Sequence, residues 1–584
     1  MKKTSGLFLI SLTLLTIIAL FVRVYKLAEL PPGLTWDEAA IGYNAYSILT
    51  TARDEHGVFL PLIFKSFGDY KPGLYIYLTV PAVWLMGLTE TAVRLPSAIA
   101  GALTVFALGL LVHELFSSRL AGLFSALVLA FMPWHLHFSR GAWEVNVFVF
   151  FLTLGLYFLI RNLKQKQSLL LPTLLFLVCL YLYQAAKIMV PLIVITTFIC
   201  LFPLKRDWFK EVIARERHFW PLYAIITAIL IYFIGQTTLG PAGNRLLRLN
   251  LFSYKPGLDP GMILTDGSET IARIFHSLPD IWARMIASRY LNHFSSELLF
   301  SGRFQTLRET LPKMGLLHLF DAVLLMAGLI QIVRNKNRRA AIFLLTLLLL
   351  APLPGSLTLN EYSSVRSLFM VIPLAAISGL GLLFIFNHHR LIFLGAAAIY
   401  LYSLVLDTDL YFNHNGRLLG EGFNAGHKQA VALIRQLDSK KVIFTDVYGQ
   451  PYIYYLFYTA YDPASYQAKN NFISGGVDVG RVPSLDNLEF HQFSVDDITT
   501  GRDTLFIGTI GNIPDTFNGT TENITYFDQI NYPSGHPIFR VVKTNQLMKK
   551  HFLLIIILLI AFILRVPFLD KYPAGLNADE AAVG

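Results

Sequence analysis

The chain has 584 residues, 54% of them hydrophobic and only 15% charged, with a formal net charge of +10. Such length and apolarity exclude a water-soluble protein and predict a polytopic α-helical membrane protein whose first partner is the lipid bilayer. The basic excess does not imply a nucleic-acid partner, because Lys and Arg stand in short blocks between apolar runs, as in cytoplasmic loops.

The opening MKKTSGLFLISLTLLTIIALF has the basic start and apolar middle of a secretory signal, but Arg23 and Lys26 stand where small residues should precede a cleavage site. A retained signal-anchor is expected. Apolar runs near the roughly 20 residues that cross a bilayer core lie at 6–25, 73–90, 92–112, 119–137, 145–160, 168–184, 188–204, 218–235, 314–333, 340–357, 366–386, 391–407 and 551–569. Cys179 and Cys200 both fall within such runs, which excludes a thiolate zinc site and argues against a disulfide.

The segment PGLYIYLTVPAVWLMGL (72–88) sets the parity of every later loop. If it crosses, the blocks RNLKQKQ, KRDWFKEVIARER and RNKNRR all face outside, against the positive-inside bias. If it lies along the interface or re-enters, as Pro72, Gly73 and Pro81 permit, those blocks face inside with Lys2, Lys3, Arg119 and Arg390. About eleven spans are therefore expected in 1–407. A first outer loop (28–91), a long outer loop (236–313) and a polar tail (408–547) are then expected on one face, with Asp37, Glu38, Lys71, Arg140, Glu144 and Arg366.

Asp37 and Glu38 follow LPPGLTW, where a helical pattern resumes, so Asp37 lies in a first helical turn that stabilises the anion. That favours a base over an acid; the alternative is a solvated pair at the membrane face. Lys71, in SFGDYKPGLYIY, precedes a proline and is presented at a fixed break suited to a phosphate, or else it snorkels to headgroups. Arg140 and Glu144, four apart in HFSRGAWEVN, form a mutual ion pair or open a polar cavity at the head of an apolar helix. His135 and His137 are a weak metal signal. Arg366, in LNEYSSVRSLFM, tops another span, and cations converging on one outer cavity would suit a diphosphate or phosphodiester. There is no Gly-rich nucleotide loop, HExxH or GxSxG. No cofactor is required, and a divalent metal is compatible with the carboxylates but not indicated.

Residues 408–547 change in composition. KKVIFTDVYGQPYIYYLFYTAY, RDTLFIGTIG and PIFRVVKTNQ read as strands and AGHKQAVALIRQLDS as an amphipathic helix, predicting a small α/β extracytoplasmic domain. Sequons stand at Asn518 and Asn523. From 548 to 584 the chain repeats its opening at an offset of 542, aligning Asp37 with Asp579 and Glu38 with Glu580. This truncated second copy lacks any Lys-Pro or second acid and is expected to be readthrough or fusion, with its acidic pair outside the catalytic set.

Together, WDEAAIGYNAYS, FGDYKPGLYIYLTVPAVWLMGLTETAVRLPSAIAGALTV and PWHLHFSRGAWEVN resemble the GT-C superfamily of membrane glycosyltransferases. Within it, they resemble the family shared by dolichyl-phosphate-mannose protein mannosyltransferases and the lipid A aminoarabinose transferase. The resemblance implies an enzyme that passes a sugar from a polyprenyl-phosphate donor to a hydroxyl of a protein, lipid or glycan acceptor at the outer face, usually with inversion. It also implies Asp37 as general base, and Lys71 with Arg140 and Arg366 as stabilisers of the departing phosphate. Two departures stand out: YKPGL replaces the common Lys-Pro-Pro, and Glu144 stands where Asp is frequent. The part of Glu38, whether assisting, holding a metal or neither, stays open.

A bacterial inner membrane is the expected location. The rival readings are a polyprenyl-linked glycan ligase or polymerase and a lipid or solute flippase. Transporters place ionisable groups near the bilayer midplane, whereas here they cluster at one surface.

Overall fold

A computed structural model describes residues 2–202, 205–238, 251–254, 264–265, 267–303, 306–469, 471–475, 480–515, 524–545 and 550–565. They divide into two compact units, one drawn from 1–431, 448–483 and 531–536, the other from 432–447, 484–530 and 537–584.

The first unit begins with α1 (Lys2–Val24), α2 (Trp36–Thr51), the hairpin β1 (Ile63–Ser66) and β2 (Asp69–Pro72), and α3 (Leu74–Met86). There follow α4 (Glu90–Phe116), α5 (Arg119–Phe131), α6 (Pro133–Ser139) and α7 (Glu144–Lys164). Among the described residues, six helices are long and apolar enough to cross a membrane: Gly6–Val24, Glu90–Phe116, Glu144–Lys164, Arg338–Ser356, Leu368–His388 and Arg390–Gly420. A seventh is added if α5 and α6, bent by 61° where Pro133 interrupts the ladder, form one span. The expected spans at 168–184, 188–204 and 314–333 fall on shorter helices, Leu170–Leu182, Ala186–Leu201 and Asp321–Arg334, so helix length alone does not reach eleven.

Helix α3 has 13 residues, about 20 Å at the helical rise, too short for a hydrocarbon core of about 30 Å. Both its flanks meet the start of α2: Lys71 pairs with Asp37, and Arg94 with Glu38. The segment between them therefore starts and ends against the same turn of α2.

Buried arginines fix the connection from α1 to α2. Arg94 donates through Nη1 to the carbonyls of Leu27 (3.0 Å) and Pro31 (2.8 Å). Arg140 donates through Nη1 to Val22 (2.9 Å) and Arg23 (2.8 Å), and through Nη2 to Lys26 (3.1 Å) and Leu30 (2.9 Å). These carbonyls lie at and just beyond the helix end, where the i→i+4 ladder of α1 runs out, and the Lys26 carbonyl also accepts from the Glu29 and Leu30 N–H groups. The guanidinium also stands 4.7 Å from the Phe412 ring centre.

The tail is not one contiguous domain. The aromatic run after residue 450 forms the helix Pro451–Thr459 rather than a strand, with proline preorganised at its first turn. It packs on α2 within the first unit: Tyr454 Oη donates to Leu34 O (3.0 Å) and Tyr43 Oη to Tyr461 O (3.2 Å). Residues 408–431 also belong there.

The second unit is built on β3 (Lys441–Phe444), β4 (Ser484–Leu485), β5 (Leu488–Phe490), β6 (Thr504–Gly508), β7 (Ile524–Asn531) and β8 (Pro537–Thr544), in sheet order β4-β5-β3-β6-β8-β7. Strand β3 runs parallel to both neighbours, and β6 and β8 are antiparallel. Ile443, Phe493, Phe506 and Val542 lie in its core. In the repeated ending, Lys550–Arg565 is helical; Asp579 and Glu580, like Asn518 and Asn523, lie outside the described residues.

Candidate active site

The site is organised by the first turn of α2. Thr35 is its N-cap: Thr35 Oγ1 accepts from the Glu38 N–H (3.2 Å) and Glu38 Oε2 accepts from the Thr35 N–H (2.9 Å), a reciprocal capping box. Asp37 stands between these partners with its side chain about 24% exposed.

Two cations from distant segments converge on it. Lys71 Nζ contacts Asp37 Oδ1, and Arg308 Nη2 donates to Asp37 Oδ2 at 2.6 Å. Lys71 is carried by the β1–β2 hairpin, opposite Phe64. The hairpin's two-residue turn, Phe67-Gly68, has φ of 52° and 84°, the all-positive geometry that suits the twist of paired strands. Arg308 arrives on the segment after Thr306. The carboxylate of neighbouring Glu309 accepts from Ser364 Oγ (3.3 Å) and the Val365 N–H (3.4 Å), and His137 Nε2 donates to the Arg308 carbonyl at 3.1 Å.

Burial alone would raise the Asp37 carboxyl, but the charges and hydrogen bonds of Lys71 and Arg308 outweigh it and hold the group well below the usual carboxylate range. Burial likewise opposes the Arg308 charge, and Asp37 more than offsets this. One anion facing two cations leaves the trio net positive.

Glu38 is differently placed. It is 3% exposed, and its Oε1 accepts from Arg94 Nε (2.9 Å) and the Ala142 N–H (3.0 Å). Arg94 Nη2 adds a contact to Oε2 at 3.3 Å. Its acceptor positions are taken by the fold. The Ala142 contact brings the start of α7, whose first residue is the half-buried Glu144, against α2.

Two expected phosphate ligands are not gathered with Asp37. Arg140 is fully buried with both terminal nitrogens committed to backbone carbonyls, so it is a clamp of the chain rather than an open cation. Arg366 donates to Thr358 Oγ1 (3.3 Å), and among the described residues no hydrogen bond or ion pair joins it to Asp37. Arg308 takes the place expected of them. Only its position in the long outer loop hinted at this, and one arginine among several there gave no local pattern.

Among the described residues no three His, Cys, Asp or Glu side chains gather as for a metal. His135 Nδ1 faces the Arg23 guanidinium at 2.9 Å, an unfavourable neighbour for a cation.

Residues 13–234 match the family model of dolichyl-phosphate-mannose-protein mannosyltransferases, so the resemblance to GT-C glycosyltransferases is found over that stretch, which is less than half of the chain. A comparison with curated protein sequences finds no match. Among solved structures, ArnT from Cupriavidus metallidurans bound to undecaprenyl phosphate is 13% identical with a TM-score of 0.48, over 91% of this chain and 97% of that one. The Archaeoglobus fulgidus oligosaccharyltransferase, in complex with zinc and sulfate, is 12% identical with a TM-score of 0.43, over 73% and 55%. The arabinofuranosyltransferase AftD from mycobacteria is 11% identical with a TM-score of 0.31, over 74% and 29%. This chain thus spans about 55% of the length of the archaeal enzyme.

Proposed function

We propose that the chain transfers a sugar from a polyprenyl-phosphate donor to an acceptor hydroxyl on the non-cytoplasmic side of a bacterial inner membrane. The acceptor is carried by a protein, lipid or glycan. The observation that carries this reading is the pairing of one ionised carboxylate, Asp37, with two cations, Lys71 and Arg308. The family match over 13–234 and the six apolar helices support it.

In this reading the donor phosphodiester enters beside Lys71 and Arg308, which turn part of their charge from Asp37 to the phosphate oxygens. A carboxylate held far below its ordinary range is a weak base. Drawing the cations away raises its basicity when the donor is bound. The acceptor oxygen attacks the anomeric carbon and loses its proton to Asp37. The bond from that carbon to the phosphate oxygen breaks, and the electron pair leaves on the polyprenyl phosphate, stabilised by the same two cations. Glu38 acts by holding the turn that presents Asp37.

Purified full-length protein in liposomes, given polyprenyl-phosphate sugars labelled in the sugar and a membrane extract as acceptor, tests the reading. Label should move to a non-prenyl product. Label that only changes leaflet would identify a flippase.

A further inference from the structure

We infer that Trp143 is a positioning residue of this site, the platform that keeps Arg308 in place when a donor phosphate competes with Asp37 for it. The inference rests on the transferase reading above.

The Arg308 guanidinium has two described side-chain holds. One is the 2.6 Å bond to Asp37, and the other is the Trp143 indole, whose ring centre lies 5.0 Å from the guanidinium carbon. Among the described residues Arg308 Nε has no hydrogen-bond partner. A phosphate arriving at Nη2 loosens the first hold, and the second then limits where this flexible side chain can go. An aromatic face suits that task, because it attracts the cation without using any of the N–H groups that a phosphate needs.

Trp143 is itself fixed. Its ring lies 5.0 Å from that of Phe138. Its buried Nε1 has no hydrogen-bond partner among the described residues and faces Gly141, where a Cβ would stand 2.6 Å from it. Glycine at 141 is thus a condition for this indole position. Between the two, the Ala142 N–H holds Glu38. The run Gly141-Ala142-Trp143 therefore ties the start of α7 both to the acidic turn and to the arginine opposite it.

The test is a double-mutant cycle read by binding of undecaprenyl phosphate, with no sugar attached, to the full chain in nanodiscs. Trp143→Leu and Arg308→Ala should each weaken binding by about tenfold, and Trp143→Phe should restore most of the loss. The double variant should bind no more weakly than Arg308→Ala alone, a non-additivity that a general structural defect would not produce. If Trp143→Leu does not insert, Gly141→Ala replaces it in the cycle, since it displaces the indole without removing it. Wild-type binding by the tryptophan variant, or losses that add, would overturn the inference while leaving the transferase reading intact. Wild-type binding by Arg308→Ala would instead remove the transferase reading and this inference with it.

Discussion

Arg308 and Asp37, separated by 271 residues of chain, meet at 2.6 Å. The arginine lowers the carboxyl and, in the proposed transfer, offers charge to the leaving phosphate, so its removal should have two separable effects. In Arg308→Ala, kcat should fall by roughly 10²-fold or more, as for loss of a transition-state donor. The acid limb of the pH profile should move to higher pH, because Asp37 returns toward its ordinary range. Steady-state kinetics from pH 4 to 8 read both effects, and an unmoved acid limb would separate Arg308 from Asp37.

Glu38 and Arg94 make the opposite kind of pair, fully enclosed and saturated by the fold. Breaking a buried pair from one side strands the other charge, typically at about 3–5 kcal/mol. Glu38→Ala and Arg94→Ala should therefore lose most correctly folded protein, as read by thermal unfolding in detergent. Glu38→Ala that unfolds like wild type and is merely inactive would return Glu38 to the reacting groups.

Arg140 serves the chain rather than the substrate. Arg140→Lys cannot reach four carbonyls from one ammonium, so it should lower thermal stability while the fraction that folds keeps a wild-type KM for donor. A raised KM with unchanged stability would restore Arg140 as a phosphate ligand.

Much of this was legible in the sequence. Asp37 and Lys71, which meet as an ion pair, each announced themselves by local chemistry, a first helical turn and a Lys-Pro break. Thr35-Trp36-Asp37-Glu38 has the spacing of a capping box, a signal left unused when the part of Glu38 was kept open. Arg308 and Arg94 could not be read as site residues, since their partners lie far away and neither occupies a patterned position. Arg140 was misread because spacing to Glu144 says nothing about the four backbone carbonyls, at the end of α1 and just past it, that its guanidinium holds. The run PYIYYLFYT has strand composition, but proline at its head and packing against α2 make it a helix. Tertiary contact outweighs β-propensity there.

Glu55 sits 2% exposed beside α2, with Asn44 Nδ2 donating to its Oε1 at 3.1 Å. Burial pushes its carboxyl up to about 8. The folded protein therefore keeps a proton that the unfolded chain releases from about pH 4.5 upward. Stability from this group is complete below that value and is lost as pH rises through about 8. Glu55→Gln should flatten the decline in unfolding temperature between pH 5 and 8. A decline as steep as in wild type would place its origin elsewhere.

The central claim is that Asp37 takes the acceptor proton. Single-turnover transfer from a polyprenyl-phosphate sugar that the wild type accepts, measured in liposomes with Asp37→Asn, tests it most directly. The amide keeps the size and the helix turn but cannot take a proton, so transfer should fall by about 10²–10⁴-fold while undecaprenyl phosphate still binds. Transfer at the wild-type rate by correctly inserted Asp37→Asn protein would contradict the account.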